Sequence, residues 1–402
     1  MTQKHTSMLL CILALMPMAV SMPFSLDMYI PTLPSIMRDL HVSDAAMQLT
    51  MNLFMLFASI SLLIIGPITD SIGRRKAAVL CASTLTLGCL MSGLAHSFAW
   101  LLLGRFIQAF GSCGLMVISL SVARDMYAGN KLAKAFSIIN GIISFSPLLA
   151  PFIGSHIDLA FGWHAIFFAL IILAILSIVC YFPLLPETCP PDKRRPIPKA
   201  LFSTYLALFK NPLFSIYTLI SAGGMTFLFT FCSLSPVILI QELHVPEAHY
   251  GFYFAFMGVS ILAGSLIAAN FVEKVGLYKM IVVGLTLALL GGLFMLGCYW
   301  IGGLSVLGFV VPMLLIGTGA TLMIGSGSAG SLEPYPHHAG TANAAGSAFR
   351  LLASSAVGLI ISAFTHTPLP LVIDVLLFTL VGLLILWLYK KKLDINYDSQ
   401  PS

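Results

Sequence analysis

Of 402 residues, 58% are hydrophobic and only 9% are charged, a balance that no soluble globular chain of this length shows. The chain is an integral membrane protein. Its net charge of +5 does not mark a nucleic-acid binder, because Lys and Arg fall in small groups between apolar runs instead of lining one basic surface.

The first apolar run, about 8 to 37, follows Lys4 and shows no small-residue cleavage site before Asp27, so it reads as a retained span and not a signal peptide. Further runs of about twenty residues lie near 45 to 66, 77 to 96, 98 to 123, 132 to 157, 164 to 185, 212 to 241, 248 to 272, 280 to 300, 303 to 331, 339 to 365 and 369 to 389. Each is long enough to cross about 30 Å of hydrocarbon as a helix, and none alternates as a barrel strand would. Twelve helices are expected in an all-α membrane protein. With the N-terminus inside, 17 Lys and Arg fall on the cytoplasmic side and only Arg38 on the other, while Arg105 and Arg350 lie within spans. This positive-inside split predicts that both ends are cytoplasmic.

The break from Pro186 to Asn211 holds five Pro and five Lys or Arg, and divides the chain near its middle. It predicts an N-terminal half at 1–185, a cytoplasmic linker at 186–211 and a C-terminal half at 212–402. A repeat supports two halves. The stretch from Ala269 to Lys279 can be laid on Gly66 to Lys76 at an offset of 203, matching Glu273 to Asp70, Gly276 to Gly73 and Lys279 to Lys76.

Several in-span polar residues are candidates for chemistry. Asp27 lies in the outer part of an apolar span, where an ionised carboxylate costs about 3 kcal/mol or more, so it is expected to face the bundle interior or a water-filled cavity. Burial disfavours the charged form of a carboxyl, which makes Asp27 a candidate proton carrier; an interfacial helix-end acid is the alternative. Arg105 cannot shed its charge and needs a carboxylate or several carbonyls as partner, either for coupling or as an anchor between helices. Gln108, one turn on, shares its face. Arg350 follows a run of small residues from Gly340 to Ala348, and is expected to point into the central cavity or to bind an internal acid. Asn52 and Asn140 line the pocket or make interhelical bonds. Pro147 and Pro151, one turn apart, are expected to bend their helix. In the first loop, Asp70 is placed to cap a helix or pair with basic residues, Arg74 to bridge to Asp125, and Gly73 to allow the tight turn. A purely topogenic role would explain the basic residues but not Asp70 or the glycines.

Two patterns are set aside. Gly325-Ser-Gly327-Ser-Ala-Gly330 matches a nucleotide-binding fingerprint but lies in a span with no preceding strand, so it reads as helix packing. The eight Cys lie almost entirely in apolar runs, and seven of the ten His map singly to the outer side without metal-ligand spacing.

The loop Gly66-x-x-x-Asp70-x-x-Gly73-Arg74-Arg75-Lys76, with twelve spans in two halves, resembles the signature and fold of the major facilitator superfamily over the whole chain. Arg105-Phe-Ile-Gln108-Ala-Phe-Gly111 is similar to that family's Arg-x-x-Gln-Gly-x-Gly element, with Ala109 in place of the first Gly. The run from Gly141 to Ser155, with Pro147, Pro151 and Gly154, resembles the antiporter motif of exporters, with Ala150 and Ser155 in place of Gly. Asp27-Met-Tyr-Ile-Pro31-x-Leu-Pro34 and Arg124-Asp125-Met-Tyr127 look like the bicyclomycin and chloramphenicol resistance (Bcr/CflA) branch of drug:proton antiporters.

The resemblance implies a proton-coupled exporter of small, mostly apolar compounds, acting by alternating access. Asp27 and Arg105 would couple protons; Gly66, Asp70, Gly73, Arg74, Arg75 and Asp125 would gate; Gly141, Pro147, Pro151 and Gly154 would form the antiporter motif; and Asn52, Gln108, Asn140 and Arg350 would line the substrate site. Some multidrug relatives carry a second acid two turns before Asp27, where this chain has Ala19 and Val20. Multi-site proton or cation coupling is therefore not expected. The first loop copy keeps Asp70, Gly73, Arg74 and Arg75 where the second keeps only Glu273, Gly276 and Lys279, so coupling is expected to concentrate in the first half, with Arg350 the chief contribution of the second. No cofactor or metal is expected beyond the proton gradient. The partners would be a small-molecule substrate, protons and the lipid bilayer, with no nucleic acid. A monomer in the bacterial cytoplasmic (inner) membrane is expected. The alternatives are a proton symporter or exporter for a metabolite or siderophore, and, from another class, a membrane-embedded enzyme or receptor.

Overall fold

The structure, a computed structural model, describes residues 8–194, 196, 201–335, 339–361 and 366–397. Lys4, Arg195 and Lys199 of the charge count, and the 362–365 end of the eleventh run, lie outside them. Among the described residues, twelve helices are long and apolar enough to cross a membrane. They are α1 (Met8–Leu40), α2 (Asp44–Ile72), α3 (Arg74–Gly93), α4 (Phe98–Met126), α5 (Lys134–Phe161), α6 (His164–Leu184), α7 (Pro212–Glu242), α8 (His249–Val275), α9 (Leu277–Gly302), α10 (Val306–Leu332), α11 (Ala339–Ile361) and α12 (Leu369–Tyr389). These coincide with the twelve apolar runs, because in hydrocarbon each segment must satisfy its own backbone groups and only a helix does so within one run.

Polar residues set where several helices start. The side chains of Ser43, Ser97, Asn211 and Ser305 accept from backbone N–H groups in the first turns of α2, α4, α7 and α10. Gly73 has φ 94° between α2 and α3, and Gly276 has φ 85° between α8 and α9. This backbone conformation strains any residue with a Cβ, so the loop repeat preserves the one residue type the turn demands. Small residues bring matched helix pairs together in both halves. A Cβ at Gly88 of α3 would fall 2.4 Å from Gln108 N of α4, and one at Gly319 of α10 would fall 2.4 Å from Gly284 O of α9.

The chain divides into two compact units, Met1–Leu201 with Pro246–Gly251, and Phe202–Val245 with Phe252–Ser402. Much of the stretch expected as a linker is packed. In the first unit Glu187, Thr188 and Cys189 bond to the ends of α2, α3 and α4. In the second, the carbonyl of Leu208, which ends the short helix Leu201–Leu208, accepts from the Tyr335 hydroxyl, and Phe209 lies against Phe214 and Phe349.

Two helices of the first unit are interrupted. Proline at 17, 23, 31 and 34 breaks α1 into helical pieces Met8–Ala19, Ser21–Asp27 and Leu33–Leu40, with a 3₁₀ turn at Ile30–Thr32. Asp27 ends the middle piece. In α5, Pro147 lacks an N–H and crowds the preceding turn, so one helical segment ends at Ser144 and the next starts at Ser146.

Candidate functional site

The interruptions in α1 and α5 meet. Ser146, the first residue after the break in α5, donates to Asp27 Oδ2 at 3.0 Å, and Asp27 is 5% exposed. Among the described residues no Lys, Arg or His is ion-paired with this carboxyl. Gly154 lets the two helices touch, since a Cβ there would fall 2.4 Å from Met28 O, next to Asp27. Gly154→Ala is expected to force α5 off α1 at a cost of about 1–3 kcal/mol. The check is a lowered melting temperature of the purified protein. Pro151 is buried, whereas Gly141 faces open space.

Arg105 of α4 is fully buried. Its Nη1 donates to Ser25 O at 2.8 Å and Gln108 Oε1 at 2.7 Å, and its guanidinium lies 4.1 Å from the Tyr29 ring centre and 4.3 Å from that of Phe54. Nε and Nη2 have no hydrogen-bond partner among the described residues, so aromatic faces take the place of the expected carboxylate or carbonyl cluster around that part of the group. The Tyr29 hydroxyl is held at 2.8 Å by Thr50 of α2. Arg105 and Gln108 are thus brought together as expected from their spacing. Asp27 is two residues from the carbonyl that Arg105 holds, yet is not ion-paired with it. Asn52 is buried in α2, and Asn140 is exposed on α5.

At the other end of the first unit, Arg74 is buried and reaches three groups. Its Nη1 lies 2.6 Å from Asp70 Oδ1 and 2.6 Å from Thr69 Oγ1, and its Nε lies 2.9 Å from Asp125 Oδ2. Thr69 donates in turn to Gly66 O at 2.8 Å, which ties Gly66 into the cluster through its carbonyl. Asp70 therefore pairs with a base, and a different acid takes the capping role: Glu187 accepts from the backbone N–H groups of Arg74 at 2.9 Å and Arg75 at 3.0 Å. This is the first turn of α3, where backbone donors are free and the helix dipole favours an anion. Arg75 bonds the carbonyls of Phe182 and Leu185 and lies 4.8 Å from the Phe182 ring centre. Thr188 also donates to Asp125, at 3.0 Å. The cluster joins the ends of α2, α3, α4 and α6 into one body.

In the second unit, Arg350 bonds three serine hydroxyls, of Ser328 at 2.9 Å, Ser221 at 3.4 Å and Ser347 at 2.5 Å. The internal acid expected as one possible partner is not there among the described residues; hydroxyls from α7, α10 and α11 hold the cation instead. Gly327 and Gly330 serve packing, since Cβ atoms there would fall 2.7 Å from Tyr217 O and from the Tyr217 ring. An in-span acid of this unit was missed by sequence reasoning. Asp374 of α12 is 6% exposed and contacts Thr226 and Thr230 of α7. Its signal is present, as the one acid within an apolar run from 369 to 389.

A family model described as Major Facilitator Superfamily matches residues 15–358. The chain is 28% identical over 369 residues to a protein named bicyclomycin resistance protein homolog from Haemophilus influenzae, covering 90% of each. It is 29% identical to multidrug resistance protein D of Escherichia coli, covering 85% of each, and 28% identical to a chloramphenicol resistance protein of Pseudomonas aeruginosa, covering 83% of this chain and 79% of that one. A crystal structure of a peptide transporter in complex with sulfate shares the fold, with a TM-score of 0.76 at 14% identity over 95% of this chain and 94% of that one. The chain belongs to the Major Facilitator Superfamily and is a multi-pass inner-membrane transporter, not an enzyme.

Proposed function

We propose that this transporter exports small, mostly apolar compounds in exchange for protons, with Asp27 as the group that takes up and releases the proton. The observation that carries the reading is a buried carboxyl with no basic partner among the described residues, hydrogen-bonded across two broken helices. A carboxylate in that setting is costly, and a proton relieves the cost. Ser146 belongs to the α5 stretch that resembles the antiporter motif, so a change of charge on Asp27 acts directly on the α1–α5 contact. Occupied and empty forms of Asp27 then favour different conformations, as alternating access requires.

Arg105 holds a fixed charge near this site through Ser25 O and the Tyr29 ring, and positions the α1 backbone around Asp27. The Arg74 cluster keeps the cytoplasmic ends of the first unit together in one state and parts in the other. The names of the three relatives, and their overall likeness to this chain, support drug export as the task. Neither a cofactor nor a second chain enters this mechanism. The test is overexpression in a strain lacking its own drug pumps. Resistance to chloramphenicol or bicyclomycin, with lowered cellular drug that an uncoupler restores, is the expected result. Raised drug content on overexpression would mean import.

A further inference from the structure

Asp374 has no role in the proposed export cycle, and among the described residues no Lys, Arg or His is ion-paired with it. α12 packs against α7 through Thr226, Thr230 and Phe227, and against α9, where a Cβ at Gly292 would meet Val375 at 2.9 Å. The titratable groups on those elements are Tyr217, Cys232 and Glu242 on α7 and Tyr278, Lys279, Cys298 and Tyr299 on α9. None of them hydrogen-bonds to or ion-pairs with the Asp374 carboxyl. His366, just ahead of α12, is taken by Glu242 at 2.7 Å.

The threonine hydroxyls leave a place for a proton on the carboxyl. Thr230 Oγ1 lies 3.1 Å from Asp374 Oδ2 and donates to it. Thr226 Oγ1 has a single hydrogen, and its shortest contact is with Gly223 O at 2.8 Å. When that hydrogen points to Gly223 O, the contact between Thr226 Oγ1 and Asp374 Oδ1 at 3.3 Å is open to a hydrogen from the acid. A proton on Oδ1 completes the chain, running from Asp374 to Thr226 to Gly223 O, and satisfies every group with no buried charge.

We propose that Asp374 is a second proton-binding carboxyl, in the C-terminal half, held neutral by Thr226 and Thr230 and able to exchange its proton. Asp374 is only five residues from the start of α12, about 8 Å along the helix axis. That is the end which the charge distribution places outside, so the path to the proton source is short. The proposal is independent of which compound is exported and of the role of Asp27.

Infrared spectroscopy of the purified protein in lipid, with no substrate added, tests it directly. The carboxylic-acid C=O band at neutral pH is expected to lose a component in Asp374→Asn, and to keep that component in Asp27→Asn. Raising the pH should convert it into carboxylate bands. Thr226→Val, which removes the acceptor and leaves the acid, should move it to higher frequency, and this second variant decides the matter if Asp374→Asn does not fold. A neutral-pH spectrum unchanged by both Asp374→Asn and Thr226→Val would overturn the proposal. So would a component that never converts on alkalinisation, which would make Asp374 a fixed structural donor.

Discussion

Asp27→Asn is expected to abolish proton-driven drug export while leaving the protein inserted and able to bind drug. Asn keeps the size of the side chain and can accept from Ser146, so the α1–α5 contact survives. What disappears is the ability to change charge. Without it, protonation no longer biases one conformation over another, and a ligand can shift an equilibrium only by its differential affinity for the two states. Accumulation of labelled chloramphenicol in energised inside-out vesicles should fall to the level of vesicles lacking the protein. Drug exchange between equal concentrations across the membrane, which needs no net proton movement, should persist. Normal energised accumulation in this variant would remove Asp27 from the coupling mechanism.

The second large effect is expected at Arg74. Its guanidinium contacts Asp70, Asp125 and Thr69 at once, a geometry that a planar fork allows and a point charge does not. Arg74→Ala leaves two carboxylates without their base. Hydrogen bonds to charged groups are each worth about 1.5–3 kcal/mol, enough to shift a conformational equilibrium about tenfold or more. Export should fall accordingly with membrane insertion unchanged. Arg74→Lys separates the two roles of this residue. It preserves the charge that orients the chain in the membrane but not the three-way contact, so it should be impaired as well. Full export by Arg74→Lys would reduce the cluster to a topogenic one.

What was legible beforehand followed from local rules. Apolar run length locates the twelve helices, since each span must close its own hydrogen bonds. Gly73 and Gly276 stand out because the backbone turn they occupy excludes other residues. Pro147 announces the break in α5. Contacts between helices were harder to read. Ser146 looks like a small filler in an apolar run until the break in α5 sets it against Asp27, 119 residues away in sequence. Tyr29 and Phe54 read as ordinary apolar-span aromatics, although together they hold a buried guanidinium. Glu187 fell in a stretch expected to be a linker, so its capping of α3 had no sequence signature beyond its charge. Arg350 was expected to find an acid as one possible partner, but hydroxyl groups from three helices serve, and serines are too common in spans to be singled out. Asp374 was passed over although it is the one acid of its apolar run, because its burial against two threonines of α7 shows only in the packed helices.

The central claim is that drug and proton move in opposite directions through one protein, and reconstituted vesicles test it most directly. With the purified transporter in proteoliposomes, a pH-sensitive dye is trapped inside and labelled chloramphenicol is added outside. Drug entry should release protons from the lumen, accelerate when the lumen is made acidic, and lose both properties in Asp27→Asn. Drug entry that carries protons in with it, or that ignores the pH gradient altogether, would contradict the account.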